Sequence, residues 1–470
     1  MKSSLLFLSI AIYFVVILFF SLNLDITLDE TGTFWVLDSG FFEIFYKTET
    51  TFKLPLYYQF LWLWGKIFGH SLELLRIFSI LFIFFTLFFT YKLGKELFDK
   101  KTGILGEVFL AINSSFVVHN TLARPYSFAL FFCVFSLWCF FKYLKSKEIK
   151  HLNLFLFSVV IPPLCNFYFV LIWPSFLLLF FLYREEIKIP NRNFSFLGSS
   201  IFGIFSIIYL ILEYLKLNSL KNSDIFYFES NLSIVLESIL PISIVCPLVI
   251  AGLFNYFDKN RISFKSKPIL SLLIFYFCPL LILLFLSISK GQLVFLDKYL
   301  IYQLPVGALI IALLIKNLEI KKQALIILLT MIVTFFSIKA KLDTMMYSAP
   351  NIENLITSID RDCSVSANSL FYESSNKEFF LDPIHQDFFG SFFKYYWKSN
   401  HKILPRTITK ENEKIFMDWI DMLSENDCNI LFTFDYNYDL RTKETKMIAE
   451  SLYKEANNRG IKNLKIIQAF

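Results

Sequence analysis

The chain has 470 residues, of which 56% are hydrophobic and only 18% charged, with 59 Phe and 23 Tyr. A soluble protein carries about 25% charged residues, so this charge is too sparse to coat one compact globule, and so apolar a chain is neither disordered nor collagen-like. Lipid is the expected solvent. Basic residues exceed acidic ones by only 45 to 39, which is no nucleic-acid signature, so the placement of charges matters more than their sum.

Apolar runs of roughly 17–25 residues read as membrane helices, because each residue rises 1.5 Å through about 30 Å of hydrocarbon. About eleven such segments follow one another, near 4–22, 71–93, 103–121, 125–142, 151–166, 168–183, 196–216, 232–257, 268–289, 299–315 and 323–339. The pair at 151–183 is short and reads as a hairpin broken around Pro162, Pro163, Cys165 and Asn166. The first segment lacks a small-residue cleavage site and reads as an uncleaved anchor.

Lys and Arg flanking the spans set orientation. They gather in alternate loops: Lys95, Lys100 and Lys101; Lys142, Lys145, Lys147 and Lys150; Arg184, Lys188 and Arg192; Lys259, Arg261, Lys265 and Lys267; Lys316, Lys321 and Lys322. These loops are expected on the cytoplasmic side of an inner membrane. The N-terminus is then cytoplasmic and the C-terminus outside.

Two outer regions are large. Residues 24–70 hold Leu54-Pro55-Leu56-Tyr57-Tyr58, Trp62 and Trp64. This stretch is too short for a comfortable span and reads as interfacial helices, where Trp and Tyr sit best. Residues 340–470 regain charge. Val365–Ala367, Asn429–Phe434 and Leu464–Ile467 read as strands, and 411–426 and 441–459 as helices. The expected organisation is an α-helical polytopic membrane domain, 1–339, followed by a small extracytoplasmic α/β domain, 340–470, with a partly parallel sheet. That second domain has no Gly-rich nucleotide fingerprint and reads as accessory.

Cys133, Cys139, Cys165, Cys246 and Cys278 lie in spans, where a thiol acts as a small hydrophobe. Cys363 and Cys428 each precede a predicted strand. Were those strands parallel neighbours, both thiols would sit at one sheet edge, and a disulfide is expected if the compartment is oxidising. No CxxC or HxxxH spacing exists, so neither a metal nor another cofactor is expected.

The charges that could do chemistry collect at the outer face. Asp29-Glu30 stands just past the first span among Phe34 and Trp35. Burial and like-charge proximity raise a carboxyl pKa toward the range of a general base; the plainer reading is an acidic pair at a helix start. Arg124, in Arg124-Pro125-Tyr126, offers a planar cationic fork suited to phosphate. Lys53, and Lys298 within Asp297-Lys298-Tyr299, are two further outer cations. Each alone could simply snorkel to headgroups. Together they outline an anionic-lipid site with a base beside it. Glu107, Glu213 and Glu237 are acids in or near spans, Glu107 within reach of Lys95 or Lys101, and His119 reads as interface packing.

The order of these motifs resembles a known family. The acidic pair, then Lys53-Leu54-Pro55-Leu56-Tyr57-Tyr58, then Leu63-Trp64-Gly65-Lys66-Ile67-Phe68-Gly69-His70-Ser71 leading into Arg76, then Arg124-Pro125-Tyr126, is similar to the bacterial branch of the dolichyl-phosphate-mannose protein mannosyltransferases (glycosyltransferase family 39), to which the lipid A aminoarabinose transferases are related. Asp297-Lys298-Tyr299 with Leu304-Pro305 resembles that family's late segment, with Lys where Arg is common. Leu54 departs from a proline found in many members. The resemblance implies a GT-C fold and an inverting transfer of sugar from a polyprenyl-phosphate donor to a glycan, lipid or protein acceptor. It makes Asp29 the base, Glu30 its tuner or the acceptor's guide, Lys53, Arg124 and Lys298 the holders of the carrier phosphate, and Tyr126 a wall of the donor cavity. A lipid or polysaccharide transporter, a non-catalytic subunit of a glycan-assembly system and an oligosaccharide ligase of another branch are the alternatives. Suspected polar residues concentrated at one face favour an enzyme over a transporter.

Overall fold

The computed structural model describes residues 16–22, 24, 27–50, 54–187, 241–257, 266–289 and 297–346, four strands after residue 367, and short helical pieces within 203–211 and 454–459. The chain divides into two compact units. One comprises 1–24, 40–219 and 227–342, the other 25–39, 220–226 and 343–470. The helices in chain order are α1 (Leu28–Leu37), α2 (Glu43–Thr50), α3 (Pro55–Phe68), α4 (Leu72–Leu97), α5 (Lys100–Ala111), α6 (Ser114–Thr121), α7 (Tyr126–Ser146), α8 (Ile149–Ser158), α9 (Ile161–Cys165), α10 (Ile172–Leu182), α11 (Ile242–Phe257), α12 (Lys267–Ser289), α13 (Leu304–Ile315) and α14 (Ile320–Met346). All but α1 belong, wholly or mostly, to the first unit.

The first unit is a multi-pass membrane bundle. Among the described residues α4, α7, α12 and α14 are each long and apolar enough to cross a membrane, and α5 with α6 reaches that length only as a pair, bent by 64° at the break. The segments 149–165, 167–182, 242–257 and 301–315 are shorter apolar helices. Most of the expected spans at 4–22 and 196–216, and the start of that at 232–257, lie outside the described residues.

The sequence reading treats 103–121 as one continuous helix. The bend arises because Asn113 caps a new helix, its side-chain oxygen accepting from the Phe116 amide at 3.0 Å. A break in hydrocarbon frees backbone groups that only protein can satisfy. Here Thr334 of α14 donates to the Ile112 carbonyl at 2.6 Å, Asn113 donates to Ser243 of α11 at 2.8 Å, and Ser337 meets Ser114 at 2.9 Å. The hairpin break falls where it is expected. α9 opens on Pro162 and Pro163 and ends at Cys165, and Asn166 accepts from the Tyr168 amide to start a 3-10 turn over Phe167–Leu171.

Close packing of α4, α5 and α13 uses small residues, as membrane helix pairs do. A Cβ at Gly94 or Gly106 would lie 2.6 or 2.5 Å from the Leu309 methyl that now sits against both. At the far ends of these helices the basic loops come together. Lys142 and Lys145 both reach Glu96 at 3.1 Å, Lys316 pairs with Asp99 at 2.8 Å, and Lys267 with Glu186 at 2.8 Å. Burial pushes the Asp99 carboxyl up, but hydrogen bonds from Lys316 and Thr102 more than offset it and leave it below the usual carboxylate range. Glu107 joins none of this. It is 4% exposed and neither oxygen has a hydrogen-bond partner. Lys101 turns away from it to the Lys316 carbonyl at the α13 terminus.

α3 has 14 residues and so rises about 21 Å, short of a span. It buries Tyr57, Tyr58 and Leu61 and exposes Phe60, Leu63, Ile67 and Phe68, as an interfacial helix does.

In the second unit β1 (Asn368–Glu373), β2 (Ile403–Ile408), β3 (Asn429–Phe434) and β4 (Leu464–Ala469) form a fully parallel sheet in the order β2-β1-β3-β4. The expected first strand at 365–367 lies outside the described residues, immediately before β1. β2 is not foreseen, because Ile403-Leu404-Pro405-Arg406 does not read as a strand. Pro lacks an amide donor and is tolerated at a sheet edge, which is where β2 lies. Its register slips there: Ser369 pairs with Ile403, but Phe371 with Thr407. The helices expected at 411–426 and 441–459 fall outside the described residues, apart from the helical pieces 454–455 and 457–458. Cys363 and Cys428 also lie outside them.

Gly106→Val should overpack the Leu309 contact and lower stability by about 1–3 kcal/mol. Adding Leu309→Ala should recover part of that loss, read as the midpoint of thermal unfolding in detergent.

Candidate active site

The motif leading into Arg76 is a rigid corner between α3 and α4. Trp64 donates from its indole to the Leu74 carbonyl at 2.8 Å. Gly65 leaves room for the His70 ring, which a Cβ would approach to 2.5 Å. Gly69 closes α3 at φ 113°, a conformation open to glycine. Ser71 caps α4. Arg76 is 1% exposed and donates to the Ser21 and Leu24 carbonyls, both at 2.6 Å. A buried cation is tolerated when it is hydrogen-bonded. The end of the first apolar segment is thereby fixed to the start of α4, five residues before Asp29 along the chain.

The acidic pair begins α1, in the second unit. Thr27 is the N-cap, accepting from the Glu30 amide at 3.3 Å, while the Glu30 carboxylate accepts from the Thr27 amide and hydroxyl, both at 3.1 Å. This is a capping box, and Glu30 is fully buried in it. The two acids thus differ in position. Glu30 closes the box at the third helical residue and Asp29 occupies the second; the Asp29 side chain is outside the described residues.

The cations lie in the first unit, at the end of the bundle where α4 and α7 start. Arg124 is half-buried and donates to the Tyr58 hydroxyl at 3.2 Å. Its guanidinium is 6.0 Å from the centre of the Tyr126 ring, and Tyr126, itself buried, has His119 at 6.1 Å. Lys298 sits on the 3-10 turn Asp297–Tyr299, its ammonium 5.8 Å from the Tyr299 ring. Tyr299 stacks on Tyr168 at 3.8 Å and 12°. The structure therefore sets Arg124 beside Tyr58 and Tyr126, and Lys298 beside a Tyr299 that stacks on Tyr168. Lys53 and the Asp297 side chain are outside the described residues.

Sequence reasoning missed Tyr168. It follows Asn166, which was read only as a chain break; an Asn cap followed by three aromatic residues was the available signal. Two cations held beside tyrosine rings can take a phosphate by charge-assisted hydrogen bonds and stabilise charge that develops on it.

Residues 52–212 match a family model described as dolichyl-phosphate-mannose-protein mannosyltransferase. The family resemblance is borne out over this segment. The matched segment takes in Lys53, Arg124, Tyr126 and Tyr168, and ends before Lys298. None of the curated proteins matches the chain. Among solved structures, ArnT from Cupriavidus metallidurans bound to undecaprenyl phosphate is similar at 12% identity and a TM-score of 0.48, over 71% of this chain and 64% of that one. The oligosaccharyltransferase of Archaeoglobus fulgidus, tethered with an acceptor peptide, is similar at 11% identity and a TM-score of 0.43, over 77% and 61%. The chain thus spans less than two thirds of the length of either.

Because Gln can also close a capping box, Glu30→Gln should keep the wild-type unfolding temperature. Glu30→Ala should lose about 0.5–2 kcal/mol. Equal losses in the two variants would exclude the box as the main role of Glu30.

Proposed function

We propose that the protein is a membrane glycosyltransferase that moves a sugar from a polyprenyl-phosphate carrier to a glycan, lipid or protein acceptor at the outer face of an inner membrane, with inversion. The observation that supports this reading is a pair of cations braced by tyrosine rings, Arg124 by Tyr58 and Tyr126 and Lys298 by Tyr299, with Arg124 and both of its tyrosines on the segment that matches the mannosyltransferase family model. ArnT with its bound undecaprenyl phosphate is an instance of the donor class.

The leaving group, a lipid phosphate, is already a stable anion, so no strong general acid is required. Arg124, Lys298 and Lys53 hold that phosphate and stabilise the charge released as the glycosidic bond breaks. Asp29 takes the proton of the acceptor hydroxyl as that oxygen attacks the anomeric carbon from the opposite side. Glu30 supports Asp29 by fixing the first turn of α1. Tyr126 lines the donor cavity. The sugar is a hexose or a pentose. The catalytic domain is 1–339 with about eleven spans, its basic loops cytoplasmic, and 340–470 is an extracytoplasmic α/β domain. A C-terminal alkaline phosphatase fusion should then be active outside the cell.

A disulfide between Cys363 and Cys428 fits this placement. β1 and β3 are parallel neighbours in register, Asn368 against Asn429; Cys428 immediately precedes β3, and Cys363 stands five residues before β1. Protein alkylated straight from cells should show the mass of two protected thiols; two freely alkylated thiols would remove the pairing.

The purified protein, given a panel of polyprenyl-phosphate sugars and acceptors, should transfer one of them. Asp29→Asn should lower kcat by about 10²–10⁴-fold while the protein stays folded and inserted, and full activity in that variant would reject Asp29 as base. Arg124→Ala should raise the donor KM by about 10–100-fold, the worth of a hydrogen bond to a charged group.

A further inference from the structure

We propose that Tyr168 is a positioning residue for the donor phosphate, acting through Tyr299 to hold Lys298 in place; this rests on the donor reading above. Lys298 stands on a three-residue 3-10 turn between 290–296 and Leu300. So short a turn cannot aim a long, rotatable side chain by itself. The turn is held from outside by two aromatic pairs that join it and its continuation to the hairpin break. Tyr168 lies face to face on Tyr299 at 3.8 Å and 12°, and Phe169 packs on Tyr302 at 5.4 Å. Tyr302 is fully buried and Phe169 likewise, so the second pair is a core anchor. Tyr168 is only half-buried, and the ring it stacks on is the one beside Lys298.

The hairpin side of this contact is itself fixed. Asn166 accepts from the Tyr168 amide at 3.1 Å, and α9, which ends at Cys165, packs on α3, the helix of the Tyr58 that accepts from Arg124. The break in the hairpin therefore ties the α3 tyrosines, and through them Arg124, to the turn bearing Lys298. Tyr168 is the plate through which that tie reaches the turn. A stacked ring restricts the turn before the ligand arrives, so less freedom is lost on binding.

The test uses full-length protein in detergent with undecaprenyl phosphate as the probe, bound amounts being read by native mass spectrometry. Losing the preorganisation of one flexible side chain costs up to about tenfold in affinity, so Tyr168→Leu should weaken binding to that extent. Tyr168→Phe, which keeps the stack, should bind nearly as wild type. In a Lys298→Ala background Tyr168→Leu should have no further effect, because the residue acts through Lys298. Where Tyr168→Leu does not fold, Tyr299→Leu removes the other plate and carries the same expectation. Wild-type binding by Tyr168→Leu, or a full additional loss in the Lys298→Ala background, would overturn the proposal. Absence of binding by the wild-type protein would overturn the donor reading, and the proposal with it.

Discussion

Inside hydrocarbon a backbone carbonyl or a charge has no water to turn to, and the first unit is arranged around meeting that demand. Arg76 is the clearest instance. Its buried guanidinium donates to two carbonyls at the end of the first apolar segment, so one contact satisfies a cation and a helix end together. Where the chain must break, at Ile112–Asn113 and at Cys165–Asn166, asparagine side chains cap the new turns, and Thr334 satisfies a carbonyl left at the first break. These breaks and caps lead the chain toward Arg124 and Tyr168, residues of the proposed phosphate site.

The site is a consequence of that economy of polar groups. A lipid phosphate needs cations that are exposed enough to bind it and restrained enough not to wander. Aromatic rings supply the restraint without competing for the anion: Tyr58 and Tyr126 about Arg124, Tyr299 and Tyr168 about Lys298. The acidic helix α1 is built separately, with Glu30 spent on the capping box. Asp29, the proposed base, is the second residue of the same turn.

Much of this was legible in the sequence, and the parts that were not share a physical cause. Apolar runs and flanking lysines marked the bundle because lipid tolerates little else, and Pro162, Pro163 and Asn166 marked the hairpin break. Thr27 and Glu30 stand at the spacing of a capping box, so the plainer reading of that acid was visible from the start. The bend at Asn113 was not, since Asn113, Ser114 and Ser115 lie in an otherwise unbroken apolar run and their partners come from α11 and α14, far along the chain. β2 was hidden by Pro405, which only an edge position permits. Tyr168 was hidden among the chain's 23 tyrosines because its significance lies in a stack with a residue 131 positions later.

The central claim is that Arg124 and Lys298 hold a polyprenyl phosphate. Binding of undecaprenyl phosphate to purified wild-type protein and to the Arg124→Ala/Lys298→Ala double variant, at matched folding and over a range of salt, tests it most directly. Saturable binding by the wild type that is lost in the double variant is the predicted result. Equal binding by both proteins would contradict it.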